Sequence, residues 1–151
     1  MNELFMEEAL KEARLAASEG DVPVGAVIVK DGEIVGRGRN SIMAGSDPTN
    51  HAEMLAIKDA CNTLGALRLS GCEMYVTLEP CAMCAGAIVL ARIDRLYIGA
   101  LDPKSGACVS LRNITTDERL NHRVEQETGI LCEECSALLK DFFRALRKRP
   151  E

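Results

Sequence analysis

Two short segments of this 151-residue chain carry side chains that bind metal and move protons: His51-Ala52-Glu53 and Pro80-Cys81-Ala82-Met83-Cys84. Cysteines three apart on a helix share one face, with their Cβ atoms about 5–6 Å apart. That separation suits two thiolates on one tetrahedral zinc. A helix start also favours thiolate over thiol, through its unpaired N–H groups and its dipole. His51 supplies a third, imidazole ligand. A catalytic zinc takes three protein ligands, keeps its fourth position for water and lowers that water's pKa from about 15.7 to about 7. Glu53 lies two residues past His51, so on a regular helix it points elsewhere; it is read as a proton carrier rather than a ligand.

Simpler explanations exist for each fragment alone. With Asn50 as N-cap, Glu53 falls at the third helical position, where a Glu closes a capping box. Capping explains neither the intervening His51 nor the Pro-Cys-x-x-Cys at a second helix start. A second Cys-x-x-Cys, Cys132-Glu133-Glu134-Cys135, has neither a Pro nor a His-x-Glu partner, and the remaining imidazole, His122, is ten residues upstream. Cys135 falls on an apolar helical stripe, so this pair is read as structural and one zinc per chain is expected. Cys61, Cys72 and Cys108 are read as small buried residues.

The elements that must position these residues follow from periodicity. Asn2 caps a first helix on which Phe5, Met6, Ala9, Ala13 and Ala16 share a face, and Gly20 ends it. Val24 to Lys30 is a β-branched run, Asp31-Gly32 a two-residue hairpin turn, and Glu33 to Arg39 the return strand. Asp47-Pro48-Thr49-Asn50 breaks the chain before a helix from about His51 to Asn62. Cys72 to Thr77 is a third strand. Glu79-Pro80 opens a helix to about Ala91, with Pro80 at its first position. Ile93 to Ala100 is a fourth strand, Asp102 to Asn113 an irregular loop, and Arg123 to Ile130 a fifth strand. The last helix, about Leu131 to Lys148, aligns Cys135, Leu138, Leu139, Phe142 and Leu146. The order reads as one α/β domain with helices on both faces of a sheet.

Composition narrows the class. Apolar residues make up 47% and charged residues 27%, as in a globular domain. No apolar run reaches the roughly 20 residues of a membrane helix, and the acidic start lacks a signal peptide, so a cytoplasmic location and no membrane contact are expected. Seven cysteines without an export signal favour metal ligation or burial over a disulfide scaffold. With only two histidines, a metal site draws mostly on cysteine. The net charge of −5 argues against a uniformly basic surface. Yet Lys140, Arg144, Arg147, Lys148 and Arg149 cluster near the C-terminus, where phosphate contacts are expected.

His-Ala-Glu with Pro-Cys-x-x-Cys is the known pattern of zinc-dependent nucleobase deaminases. The chain resembles the cytidine deaminase-like superfamily and, within it, the bacterial tRNA-specific adenosine deaminases. The resemblance runs through Val22-Pro23-Val24-Gly25-Ala26-Val27, Asp47-Pro48-Thr49, Tyr75 to Ala87, Gly99-Ala100, Asp102, Lys104-Ser105-Gly106-Ala107, Asn121-His122-Arg123-Val124-Glu125 and Asp141-Phe142-Phe143-Arg144. It implies a three-layer α/β/α fold with a central mixed sheet of about five strands, and a single zinc deaminase domain over residues 1–151. It further implies a homodimer that converts the wobble adenosine of a tRNA anticodon, typically an arginine tRNA, to inosine. His51, Cys81 and Cys84 then hold zinc, which activates water for attack on C6 of adenine. Glu53 takes the water proton, protonates N1 and later the departing ammonia. Asn40, Asp102, Lys104, Phe143 and Arg144 are the implied substrate contacts, with Asn40 on a flipped base. An unpaired loop base is the cheaper substrate, because C6 lies inside the stack of a duplex. Two other readings stay open: a deaminase of free guanine, cytosine or a nucleoside, and a non-catalytic zinc module that binds RNA. Glu53 argues against the latter.

Overall fold

In the computed structural model, which describes residues 2–148, five strands form one sheet. In chain order the elements are α1 (Asn2–Ser18), β1 (Gly25–Lys30), β2 (Glu33–Arg39), α2 (Ile42–Gly45), α3 (Ala52–Leu64), β3 (Cys72–Leu78), α4 (Ala82–Leu90), β4 (Arg95–Ala100), β5 (Glu125–Thr128) and α5 (Cys132–Arg147). The strand order is β2-β1-β3-β4-β5; β1 is antiparallel to β2 and β3, while β3, β4 and β5 run parallel. The expected mixed sheet is therefore present.

Strand periodicity sorts the core into two layers. Ala26, Ile28, Met74, Val76, Leu96 and Ile98 face one side and pack on Ala52, Ala56 and Ala60 of α3 and Ala85 and Ile88 of α4. Val27, Val29, Tyr75 and Tyr97 alternate with them on the other side, against Met6, Ala9 and Leu10 of α1 and Cys135 of α5. Burial on both faces explains why β1 and β3 read as nearly continuous apolar runs. The hairpin turn forms as expected, with Asp31 at φ 51° and Gly32 at φ 78°, the left-handed pair that a tight two-residue turn requires.

Register brings four chain segments to one end of the sheet. Gly25 pairs with Arg39, and Ala26 with Val76. Leu78 pairs with Ala100, and the Glu79 N–H donates to the Ala100 carbonyl at 2.8 Å. The end of β2, the start of β1 and the ends of β3 and β4 therefore share an edge. There α4 and the long connection from Leu101 to Val124 depart, and there α3 begins. A methyl at Gly38 would strike the Ala52 carbonyl and the Ala56 backbone, so its absence lets the first turn of α3 lie directly on β2.

Several boundaries differ from the sequence expectation for physical reasons. Asn2 is already helical; its side chain accepts from the Tyr75 hydroxyl at 3.2 Å and reaches Glu127, tying α1 across the sheet. The α3 N-cap is His51 rather than Asn50, so Glu53 is the second helical residue and closes no capping box. Asn50 instead donates its side-chain N–H to the Ser41 carbonyl at 3.3 Å. Pro80 is not the first residue of α4: Cys81 is the N-cap, extended at φ −75° and ψ 179°, and it inherits the direction of the buried strand before it. The short α2 has no counterpart in the sequence expectation; its N-terminal N–H at Met43 is held by the buried Asp21 carboxylate at 3.0 Å. Cys72 and Cys108 are buried, but Cys61 is only half-buried. Leu146 ends the α5 stripe exposed. Arg149 lies outside the described residues. Among the described residues, no helix is long and apolar enough to cross a membrane.

Candidate metal and catalytic site

The two helix starts meet. His51 stands before α3 and Cys81 before α4, with Cys84 in the first turn of α4. Their donor atoms lie within 4.8 Å of one another. His51 Nδ1 is 3.6 Å from Cys81 Sγ and 3.5 Å from Cys84 Sγ. Zinc bonds of about 2.0–2.1 Å to nitrogen and 2.3 Å to sulfur, at tetrahedral angles, put such atoms about 3.6 Å apart. One imidazole and two thiols at these separations fit a zinc ion in both donor type and spacing.

Electrostatics at the helix starts divides the two thiols. Cys81 is lowered to about 5, chiefly by the hydrogen bond from the Cys84 thiol and then by the N–H groups of Cys84 and Met83 and the charge of His51. Cys84 is pushed up by that same hydrogen bond and by burial. Glu53 is 3% exposed. Burial raises its carboxyl to about 7, against the lowering effect of its own backbone N–H and of His51. It is not one of the three clustered donors.

Above these groups is a pocket of about 200 Å³, lined by Val22, Val24, Asn40, His51, Glu53, Leu78, Glu79, Cys81, Asp102 and Ser105. Asn40 is nine-tenths buried, and its Oδ1 accepts from the Ala52 N–H at 2.9 Å. That bond satisfies an orphan donor of α3 and leaves the Asn40 amide N–H₂ as the donor available to the pocket. Asp102 sits at the rim; its Oδ1 accepts from the Lys104 and Ser105 N–H groups at 3.1 and 3.3 Å, so it shapes the turn as well as the wall.

The remaining expected contacts lie further out. Val22, Leu78, Asp102 and Ser105 continue from the inner pocket into a groove of about 630 Å³, completed by Leu101, Pro103, Lys104, Leu139, Lys140 and Phe143. Arg144 and Arg147 border its outer side with Lys104 and Phe143. Phe143 is 41% exposed and meets Phe142 edge-on, with ring centroids 5.5 Å apart. Arg144 pairs loosely with Asp141, at 4.0 Å. Lys104, Phe143 and Arg144 thus share one surface leading away from His51, while none of them lines the inner pocket.

Sequence reasoning misses Glu79. It reads there as part of a helix start, but it is 2% exposed and accepts five hydrogen bonds from the loop after β4. Burial pushes its pKa up, yet the Ser110 hydroxyl and the loop N–H groups outweigh burial and hold it below the usual range. A lone acid ending an apolar strand is the available signal. Val22, Leu78 and Leu139, the apolar lining, carry no chemical signal of their own.

Comparisons with known proteins bear on what this site does. Residues 2–147 match the family model described as MafB19-like deaminase. The chain is 50% identical over 148 residues to a tRNA-specific adenosine deaminase of Bacillus subtilis (strain 168), covering 98% of this chain and 92% of that one. It is 54% identical over 145 residues to a tRNA-specific adenosine deaminase of Aquifex aeolicus (strain VF5), covering 96% and 95%. A solved structure from a study of A-to-I editing by tRNA:A34 deaminases at the wobble position of transfer RNA superposes with a TM-score of 0.86. It has 46% identity and covers 89% of this chain and 98% of that chain.

Proposed function

Because the chain belongs to the MafB19-like deaminase family and is about half identical along nearly its whole length to tRNA-specific adenosine deaminases, we propose that it uses one zinc ion, held by His51, Cys81 and Cys84, to deaminate the wobble adenosine of a tRNA anticodon. It is a hydrolytic deaminase that turns adenosine into inosine in tRNA. The observation that carries the residue assignment is the 3.5–3.6 Å spacing of one imidazole nitrogen from two thiol sulfurs, beside a buried carboxylate.

Bound zinc supplies the Lewis acidity that brings a water's pKa down to about 7. The chain's own residues do the rest. Glu53, fixed by burial on the first turn of α3, takes a proton from the attacking water and delivers it to N1 of the base; it then takes the second proton, from the new C6 hydroxyl, and delivers it to the amino group, which leaves as ammonia. Water and adenosine thereby become inosine and ammonia. Asn40, its carbonyl occupied by the Ala52 N–H, donates its amide N–H to an acceptor on the base. Val22, Val24 and Leu78 exclude bulk water around the ring.

The groove supports a substrate larger than a free base. Lys104, Lys140, Arg144 and Arg147 suit phosphates and Phe143 a neighbouring base, as expected for an anticodon stem-loop, with an arginine tRNA as the natural source. The assembly is proposed to be a homodimer and the location cytoplasmic. The test is inosine formation by zinc-loaded protein on an RNA hairpin with an ACG anticodon loop, run beside free adenosine, guanine and cytosine. Inosine from the hairpin alone is expected. Turnover of a free base instead would remove RNA from the proposal, and zinc bound by four protein groups with no turnover would favour a binding module.

A further inference from the structure

The loop that forms one wall of the pocket, residues 102–110, contains no helix or strand. What holds it is largely one side chain from beneath. The Glu79 carboxylate receives the N–H of Asp102 on Oε1 at 3.0 Å, and those of Cys108, Val109 and Ser110 on Oε2 at 3.2, 2.8 and 2.9 Å. The Ser110 hydroxyl adds a fifth bond, to Oε1, at 2.5 Å. Both oxygens are therefore used, and the two ends of the loop are tied to the same carboxylate. Gly106 lies over it so closely that a methyl there would strike the carboxylate carbon and both oxygens. The Ala107 N–H is held in turn by the Pro80 carbonyl at 2.9 Å.

Hydrogen bonds to a charged acceptor are the stronger ones, and a carboxylate ringed by backbone N–H groups fixes geometry as well as energy. Asp102 and Ser105 are the loop residues that line the pocket. Among the described residues, no other backbone hydrogen bond ties either of them to the body of the sheet. Glu79 sits at the end of β3, one residue before Pro80 and two before Cys81. A single strand end thus leads into a metal-binding thiol and anchors the loop that lines the same pocket.

We infer that Glu79 is a positioning residue: its carboxylate, with Gly106 and Ser110, fixes Asp102 and Ser105 in the wall of the pocket that His51 also lines, and so sets how tightly the substrate is held rather than how fast it reacts. This rests on the deaminase reading of the site. A wall that touches substrate and transition state alike changes KM and leaves kcat.

The experiment combines steady-state kinetics on the ACG hairpin with amide hydrogen exchange and zinc content, for wild type, Glu79→Gln, Gly106→Ala and Ser110→Ala. Glu79→Gln places an amide N–H₂ among donors. It is expected to raise KM by roughly tenfold or more, as loss of contacts made equally to substrate and transition state does, while kcat stays within about threefold and zinc stays bound. The amides of Asp102, Cys108, Val109 and Ser110 exchange faster in that variant. Gly106→Ala reproduces both effects with Glu79 intact, and Ser110→Ala, which removes one bond, gives a smaller version that remains folded. Unchanged exchange in Glu79→Gln, or a fall in kcat or zinc content at constant KM, overturns the proposal. If wild type leaves the hairpin unedited, the functional reading falls, and the exchange data still judge the Glu79 anchor.

Discussion

This chain spells Cys-x-x-Cys twice, each time at the start of a helix, and the fold gives the two pairs opposite surroundings. Cys81 caps α4 at the end of a buried strand, where the start of α3 brings His51 to 3.6 Å. Cys132 opens α5 after Leu131, which turns the chain in the left-handed region at φ 53°. Cys132 is exposed, and Cys135 is pressed against β4 at Gly99, where a methyl would clash with its sulfur. The thiols respond accordingly: Cys81 is lowered to about 5 by its hydrogen-bond donors, while burial pushes Cys135 up to about 12. Spacing only puts two sulfurs on one helix face. What the face looks at decides the chemistry: the end of the sheet, where other helix starts converge, or its flat side, where only apolar contact is available.

The largest effects should come from the first pair and its neighbour. Cys84→Ala removes one of the three clustered donors, so metal analysis should find zinc lost and turnover at background. A chelator should do the same to wild type, reversibly on adding zinc. Glu53→Ala separates the two functions of the site. It should keep one zinc per chain and lose roughly a hundredfold to ten-thousandfold in kcat, the usual worth of a placed general acid–base. A zinc-loaded Glu53→Ala enzyme with near-normal rates would sink the proton-carrier role.

The difference between the two pairs also marks how far the sequence can be read. Cys81, Cys84, His51 and Glu53 are legible because helix starts and period-2 strands are local patterns, and residues tied to them inherit their geometry. The cap register is less so. Whether α4 starts at Pro80 or only after Cys81 depends on ψ 179° at Cys81, a backbone angle that continuation from β3 imposes and composition does not encode. The loop after β4 is visible in the sequence only as irregular. Its form comes from Glu79, whose partners lie 23 to 31 residues away, beyond any periodic signal. Arg144 is marked in the sequence by its basic cluster, while Lys104 and Phe143 enter as substrate contacts through the resemblance. The structure brings them onto one groove because α5 crosses back beside the start of that loop.

The far end of α5, unlike its cysteine pair, faces a groove. Lys140, Arg144 and Arg147 border the groove, and replacing all three by Gln should weaken hairpin binding at low salt more than at high salt. For every phosphate no longer neutralised, the slope of log affinity against log salt should flatten by about 1. Turnover at saturating RNA should change little, because none of the three lines the inner pocket. An unchanged affinity and slope would return this helix face to plain solvation.

The smallest effect is the sharpest test of the comparison. In Cys132→Ser/Cys135→Ser, zinc should remain at one equivalent per chain and hairpin turnover should be that of wild type. The exposed Cys132 contributes little to stability. Cys135→Ser puts a hydroxyl into an apolar contact beneath β4, at a cost of about 1–3 kcal/mol. For a chain of this length each kcal/mol lowers Tm by about 2–4 °C, so the double variant should melt roughly 2–12 °C early. The single Cys132→Ser variant should match wild type. Loss of a second metal equivalent would show that the two pairs are alike after all, and that helix spacing alone had been enough to make a site.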